Sequence, residues 1–161
     1  MVLGKFIGMS KIKIAVIGLG YVGLPLARLF ATKYPVVGFD INTKRVSELM
    51  KGNDDTLEVD SKALQTVLVD KVSNKKGLFC SSKIAAIKDC NYYIITVPTP
   101  VDKNNSPVLT PLIKASETVG SVLKKQDIVV YESTVYPGAT EEECIPVLEK
   151  VSDLQLSLIH I

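Results

Sequence analysis

The feature that most narrows what this chain can become is the run Ile14-Ala15-Val16-Ile17, followed at once by Gly18-Leu19-Gly20-Tyr21-Val22-Gly23. Four consecutive apolar residues without alternation describe a strand covered on both faces, as in the middle of a parallel sheet. The glycines stop that strand in a tight turn. Val22, Leu26, Leu29 and Phe30 then recur at helical spacing to about Lys33, and Pro25 comes early enough to be tolerated near a first helical turn. Val36-Val37-Gly38-Phe39-Asp40 reads as a second strand, which completes a strand-helix-strand unit by residue 40.

The alternation continues along the chain. Asn42 or Thr43 can cap a helix through Met50 that Gly52 ends. After a polar loop over 52–60, the residues Ala63, Leu64, Val67, Leu68 and Val72 predict an amphipathic helix. Leu78-Phe79-Cys80 predicts a brief third strand, and Ile84 and Ile87 a short helix. Tyr92-Tyr93-Ile94-Ile95-Thr96-Val97 is a fourth strand, ended by Pro98 and Pro100, which cannot donate to a sheet ladder. Thr110 and Pro111 read as an N-cap and first-position pair, opening a helix with Leu112, Ala115, Val119 and Val122 on one face. Ile128-Val129-Val130-Tyr131 is a fifth strand. Beyond Pro137-Gly138, Thr140 and Glu143 predict a capping box for a helix that buries Cys144, Val147, Leu148 and Val151. Strands and helices in this order specify an α/β fold, a Rossmann-type doubly wound parallel sheet in three layers.

In such a crossing the first glycine makes the turn, the second lets backbone approach a pyrophosphate, and the third lets helix and strand pack closely. Gly18, Gly20 and Gly23 are spaced for these tasks, and the unpaired N–H groups and dipole of the following helix favour phosphate. Asp40 follows Gly23 by seventeen residues, at the tip of the second strand. There its carboxylate accepts from ribose hydroxyls and repels a 2′-phosphate, which favours NAD over NADP. Arg45 pulls the other way, since a nearby arginine can host that phosphate. Thr99, Ser133 and Thr134 fall in loops after the fourth and fifth strands, where they either line a ligand cleft or satisfy turn backbone.

Composition closes off several classes of function. The 161 residues are 47% hydrophobic and 22% charged, enough for one well-buried domain and too few for a second. Nineteen basic residues against seventeen acidic ones are scattered, which argues against nucleic-acid and acidic-membrane partners. Cys80, Cys90 and Cys144 lie far apart without metal-ligand spacing and read as buried free thiols of a reducing cytoplasm, with no metal site. No signal segment or membrane-length apolar run is evident, so the chain is expected in the cytoplasm.

At Lys13 to Pro25, Val97-Pro98-Thr99-Pro100, and Tyr131-Glu132-Ser133-Thr134-Val135-Tyr136-Pro137-Gly138-Ala139-Thr140-Glu141, the chain resembles the UDP-glucose/GDP-mannose dehydrogenases, most closely those acting on UDP-N-acetylhexosamines. The resemblance implies that Tyr21 and Val22 amides meet the NAD pyrophosphate, that Asp40 and Arg45 hold the adenosine ribose, and that Thr99 and Thr134 line the path to the nicotinamide. It also implies two successive NAD-dependent oxidations at C6 of a UDP-sugar, giving a uronate for surface polysaccharide. The second proceeds through a cysteine thioester. That cysteine is expected in a later part of the family's chain, and none of the three here matches its setting.

The organisation expected is an N-terminal extension over 1–10, an NAD-binding domain over 11–152, and a tail over 153–161 that departs from the family pattern as a truncation or frame change would. His160 in that tail reads as incidental. The fragment is expected to bind NAD without turnover, as a monomer or weak dimer, where the full-length enzyme is a homodimer. Three alternatives stay open: a non-catalytic NAD-sensing module, an S-adenosylmethionine methyltransferase, and a hydroxy-acid or 6-phosphogluconate-type dehydrogenase.

Overall fold

The computed structural model describes residues 12–155; the N-terminal extension and His160 lie outside them. Strand β1 (Ile14–Ile17) is buried at every position, as its unbroken apolar run requires. Helix α1 (Gly23–Ala31) returns the chain to β2 (Pro35–Phe39). Helix α2 (Thr43–Met50) begins at the predicted cap, where the Asn42 side chain accepts from Arg45 N–H. Next come α3 (Ser61–Gln65), β3 (Gly77–Ser81), a 3-10 turn (Ile84–Ala86), β4 (Tyr92–Ile95), α4 (Thr110–Gly120) and β5 (Ile128–Tyr131). A π-helical turn (Thr140–Cys144) leads into α5 (Ile145–Ser152).

All pairings among the five strands are parallel, in the order β3-β2-β1-β4-β5. The direction of winding reverses between β1 and β4. Alternate β1 residues serve opposite faces: Ile14 and Val16 pack with Leu24, Ala27, Leu49 and Leu64, whereas Ala15 and Ile17 pack with Tyr93, Leu112, Val119 and Leu148. Helices α1 to α3 therefore cover one side and α4 and α5 the other, the three layers expected. Among the described residues no helix is long and apolar enough to cross a membrane.

Several local expectations need correction, among them the buried stripe of α5, where Val151 is exposed and Val147 only partly covered. The helix predicted through Val72 stops at Gln65, because residues 67–69 run beside β3: Leu78 N–H donates to Val67 carbonyl (2.7 Å) and Val69 N–H to Leu78 carbonyl (3.0 Å). Helix α4 is capped by Leu109, so Thr110 is its first residue and makes no capping bond. The Thr140–Glu143 capping box does not form. Pro146 has no N–H for the Glu142 carbonyl, and the turn shifts register so that Ile145 N–H donates to Thr140 carbonyl.

Candidate functional site

The carboxyl ends of β1, β2, β4 and β5 open onto one cleft of about 940 Å³, within the usual range for a small-molecule site. It lies at the reversal of the sheet, where the diverging loops of an open α/β fold leave room for a ligand. Its floor is the glycine turn. Gly18 has φ +96°, a conformation that an L side chain resists, and its N–H donates to Phe39 carbonyl (2.8 Å). At Gly23 a Cβ would fall 1.8 Å from the Gly18 carbonyl oxygen and 2.4 Å from Thr96 Oγ1. Only a bare backbone lets α1 approach β1 this closely. Thr96 Oγ1 lies against the same turn, close to the Ile17 and Gly18 carbonyls at 3.0 and 2.8 Å.

Gly20 behaves differently, since a Cβ there would meet no protein atom within 4 Å. The space above it belongs to the cleft, so the protein leaves room for a group to approach this backbone. The bonding of α1 starts with Leu24 N–H on the Gly20 carbonyl (3.2 Å). Among the described residues no carbonyl accepts from Tyr21, Val22 or Gly23 N–H, and these orphan donors suit an anion. The residues present therefore fit the pyrophosphate of a dinucleotide.

Asp40 follows β2 directly and is half-buried on the cleft wall beside exposed Ile41. Its Oδ2 accepts from Leu19 N–H and its Oδ1 from Asn42 N–H, both at 2.8 Å, so the carboxylate is held at a fixed place with lone pairs left for a hydroxyl. The opposite wall joins the loops after β4 and β5: Thr99 Oγ1 donates to Thr134 carbonyl (2.8 Å) and Ser133 Oγ to Val97 carbonyl (2.6 Å). Pro111, Ala115 and Thr118 of α4 complete it. Lys114 is the basic residue of the lining, against Asp40, Glu117 and Glu132.

Gly18, Gly20, Tyr21, Val22, Asp40, Thr99 and Thr134 thus meet around one cleft, with Gly23 packed beneath it. Arg45 is apart from the lining. Its guanidinium is buried under the turn, where Nε and Nη2 donate to Leu19 carbonyl at 3.0 and 2.9 Å and Nη1 pairs with Asp54 at 2.7 Å. Burial works against the charged form of Asp54, but hydrogen bonds from the Thr56 hydroxyl, Val59 N–H and Arg45 outweigh it and hold the carboxyl down at about 2. Sequence reasoning passed over Asp54 and Thr96. The Asp54-Asp55-Thr56 run was the available signal for the first, being a turn former inside a loop otherwise read only as polar.

The thiols take no part in this site. Burial pushes Cys80 and Cys90 up to about 12 and raises Cys144 as well, leaving each protonated and packed in the core. Among the described residues no cluster of His, Cys, Asp and Glu is arranged to hold a metal ion.

The sheet order and the turn it carries place the chain among dinucleotide-binding Rossmann domains. Residues 12–161 match the UDP-glucose/GDP-mannose dehydrogenase family, NAD binding domain; the chain belongs to that family, and its cofactor is NAD. It is 54% identical over 149 residues to a UDP-N-acetyl-D-glucosamine 6-dehydrogenase of Pseudomonas aeruginosa, covering 92% of this chain and 33% of that one. To Protein CapL of Staphylococcus aureus it is 55% identical over 141 residues, covering 88% and 31%. Among solved structures, a UDP-D-ManNAc dehydrogenase from Pyrococcus horikoshii superposes with TM-score 0.80 at 33% identity, covering 91% of this chain and 34% of the other. The chain spans about a third of the length of the relatives it matches.

Proposed function

We propose that this chain is the cofactor-holding portion of a UDP-N-acetylhexosamine 6-dehydrogenase, which oxidises a C6 alcohol to the carboxylate in two steps for surface polysaccharide synthesis. The observation that carries the reading is the open space over Gly20, flanked by the unpaired donors of α1 and by Asp40. Bound NAD supplies the nicotinamide that accepts hydride. Tyr21 and Val22 N–H groups hold the pyrophosphate, Asp40 accepts from the adenosine ribose, and the Thr99–Thr134 wall borders the nicotinamide end. With its thiols buried, the chain offers no nucleophile for a thioester, and that group comes from the part of the relatives lying beyond the match. Residues 11–152 form the cofactor domain. Its setting is the cytoplasm, and the full-length enzyme is a homodimer, while this chain alone is a monomer or weak dimer.

Thermal melts with added ligand test this reading. NADH at a hundred times its dissociation constant stabilises the fold by about 3 kcal/mol through mass action, whereas NADPH and S-adenosylmethionine leave it unmoved. An equal response to NADPH, or none to millimolar NADH, refutes the assignment.

A further inference from the structure

Outside the cleft, the Arg45 side chain is heavily engaged. A guanidinium has five N–H donors, and here each has an acceptor. Nε donates to Leu19 carbonyl, Nη2 to Leu19 carbonyl and to Thr56 Oγ1 (3.2 Å), and Nη1 to the carboxylates of Asp54 and Asp55. Asp54 is equally committed. Its Oδ1 accepts from Thr56 N–H and hydroxyl at 3.0 and 2.7 Å, and its Oδ2 from Glu58 and Val59 N–H, both at 2.9 Å. The ion pair is buried, with side chains 8% and 1% exposed.

What this assembly grips is the middle residue of the glycine turn. Leu19 sits between Gly18 and Gly20, its side chain fully buried, its carbonyl on Arg45 and its N–H on Asp40. The Leu19 carbonyl belongs to the peptide that continues into Gly20, so its orientation sets the direction of the chain entering the free N–H groups of Tyr21, Val22 and Gly23. The Leu19 N–H ties the same turn to the acid on the adenosine side.

We propose that Arg45 and Asp54 are positioning residues of the cofactor site: the guanidinium, braced by Asp54, fixes the Leu19 carbonyl so that the glycine turn presents its free N–H groups to the pyrophosphate in register with Asp40. The assignment rests on the NAD reading and sharpens it. With its donors engaged inside the protein, the guanidinium acts on the cofactor site through the turn that it holds. The loop over 52–60, which never borders the cleft, becomes part of the cofactor machinery through this one contact.

The test is NADH affinity by calorimetry at 15 °C on the whole chain, well below its melting transition. Asp54→Asn is expected to weaken NADH at least about tenfold, the scale of one lost charge-assisted hydrogen bond at the pyrophosphate. Thr56→Val removes only the bridging hydroxyl and gives a smaller loss in the same direction. Val36→Ala, at the far end of β2, is the control: it lowers the melting temperature and leaves NADH affinity unchanged. In ¹H–¹⁵N spectra the Gly20, Tyr21 and Val22 amides move in Asp54→Asn and Thr56→Val but hold in Val36→Ala. Wild-type affinity retained by folded Thr56→Val and Asp54→Asn overturns the positioning role and leaves the cofactor reading standing. A wild-type chain that binds no NADH overturns that reading itself.

Discussion

Replacing Asp54 by Asn should make the stability of this domain lose part of its dependence on acid. In the folded chain the Asp54 carboxyl titrates at about 2 against an ordinary value of 3.8. A lowered folded pKa stabilises the native state above the unfolded pKa, and that contribution is lost as pH falls through the folded one. The difference of 3.8 and 2 corresponds to about 2 kcal/mol at pH 7, falling to about 1 kcal/mol near pH 3 and to a small remainder at pH 2. The side chain is 1% exposed, so solvent does little to screen the interaction. Urea denaturation of wild type and Asp54→Asn at pH 7, 5, 3.5 and 2.5 measures it. The variant is less stable by at least about 2 kcal/mol at pH 7, and the gap narrows by about half at the acid end. A gap that stays constant from pH 7 to 2.5 refutes the argument, because the loss would then come from shape or amide chemistry and not from charge.

Other perturbations have equally direct readouts. Gly23→Ala places a methyl 1.8 Å from the Gly18 carbonyl, so α1 must move off β1; a cost of about 3 kcal/mol or more in urea denaturation is expected, with NADH binding lost. Asp40→Ala removes the acceptor that fixes Leu19 N–H and the charge that repels a 2′-phosphate; isothermal titration should show NADH weakened and the preference over NADPH reduced. Cys80 and Cys90, pushed up to about 12 by burial, should react with a thiol reagent at pH 8 only as fast as the protein unfolds, and fully within seconds in denaturant.

The sequence revealed the parts of this fold that rest on backbone geometry. β1 declared itself because a strand buried on both faces has no polar position to disguise it, and Gly18 and Gly23 because φ and contact distance leave no other residue there. Asp40 was legible for the same reason, being set by the length of one helix and one strand. What stayed hidden depends on partners distant in sequence. Val67 and Leu68 have the spacing of a helix, yet β3 recruits them as an extended neighbour. Thr140 and Glu143 carry a cap signature, yet Pro146, beyond that pair, alters the register. Nothing local to Arg45 shows that its acceptors here are the Leu19 carbonyl, twenty-six residues back, and a loop ahead.

The two bonds that tie the loops after β4 and β5 make that wall of the cleft a single plate. With Thr99 fastened to the Thr134 carbonyl and Ser133 to the Val97 carbonyl, each loop supplies one hydroxyl and one carbonyl to the other. A shift of either is handed to its neighbour, so the wall has one rigid-body setting where two separate loops would have many. Substitutions at Thr99 and Ser133 are therefore coupled, and the second costs less than the first once the plate has come apart.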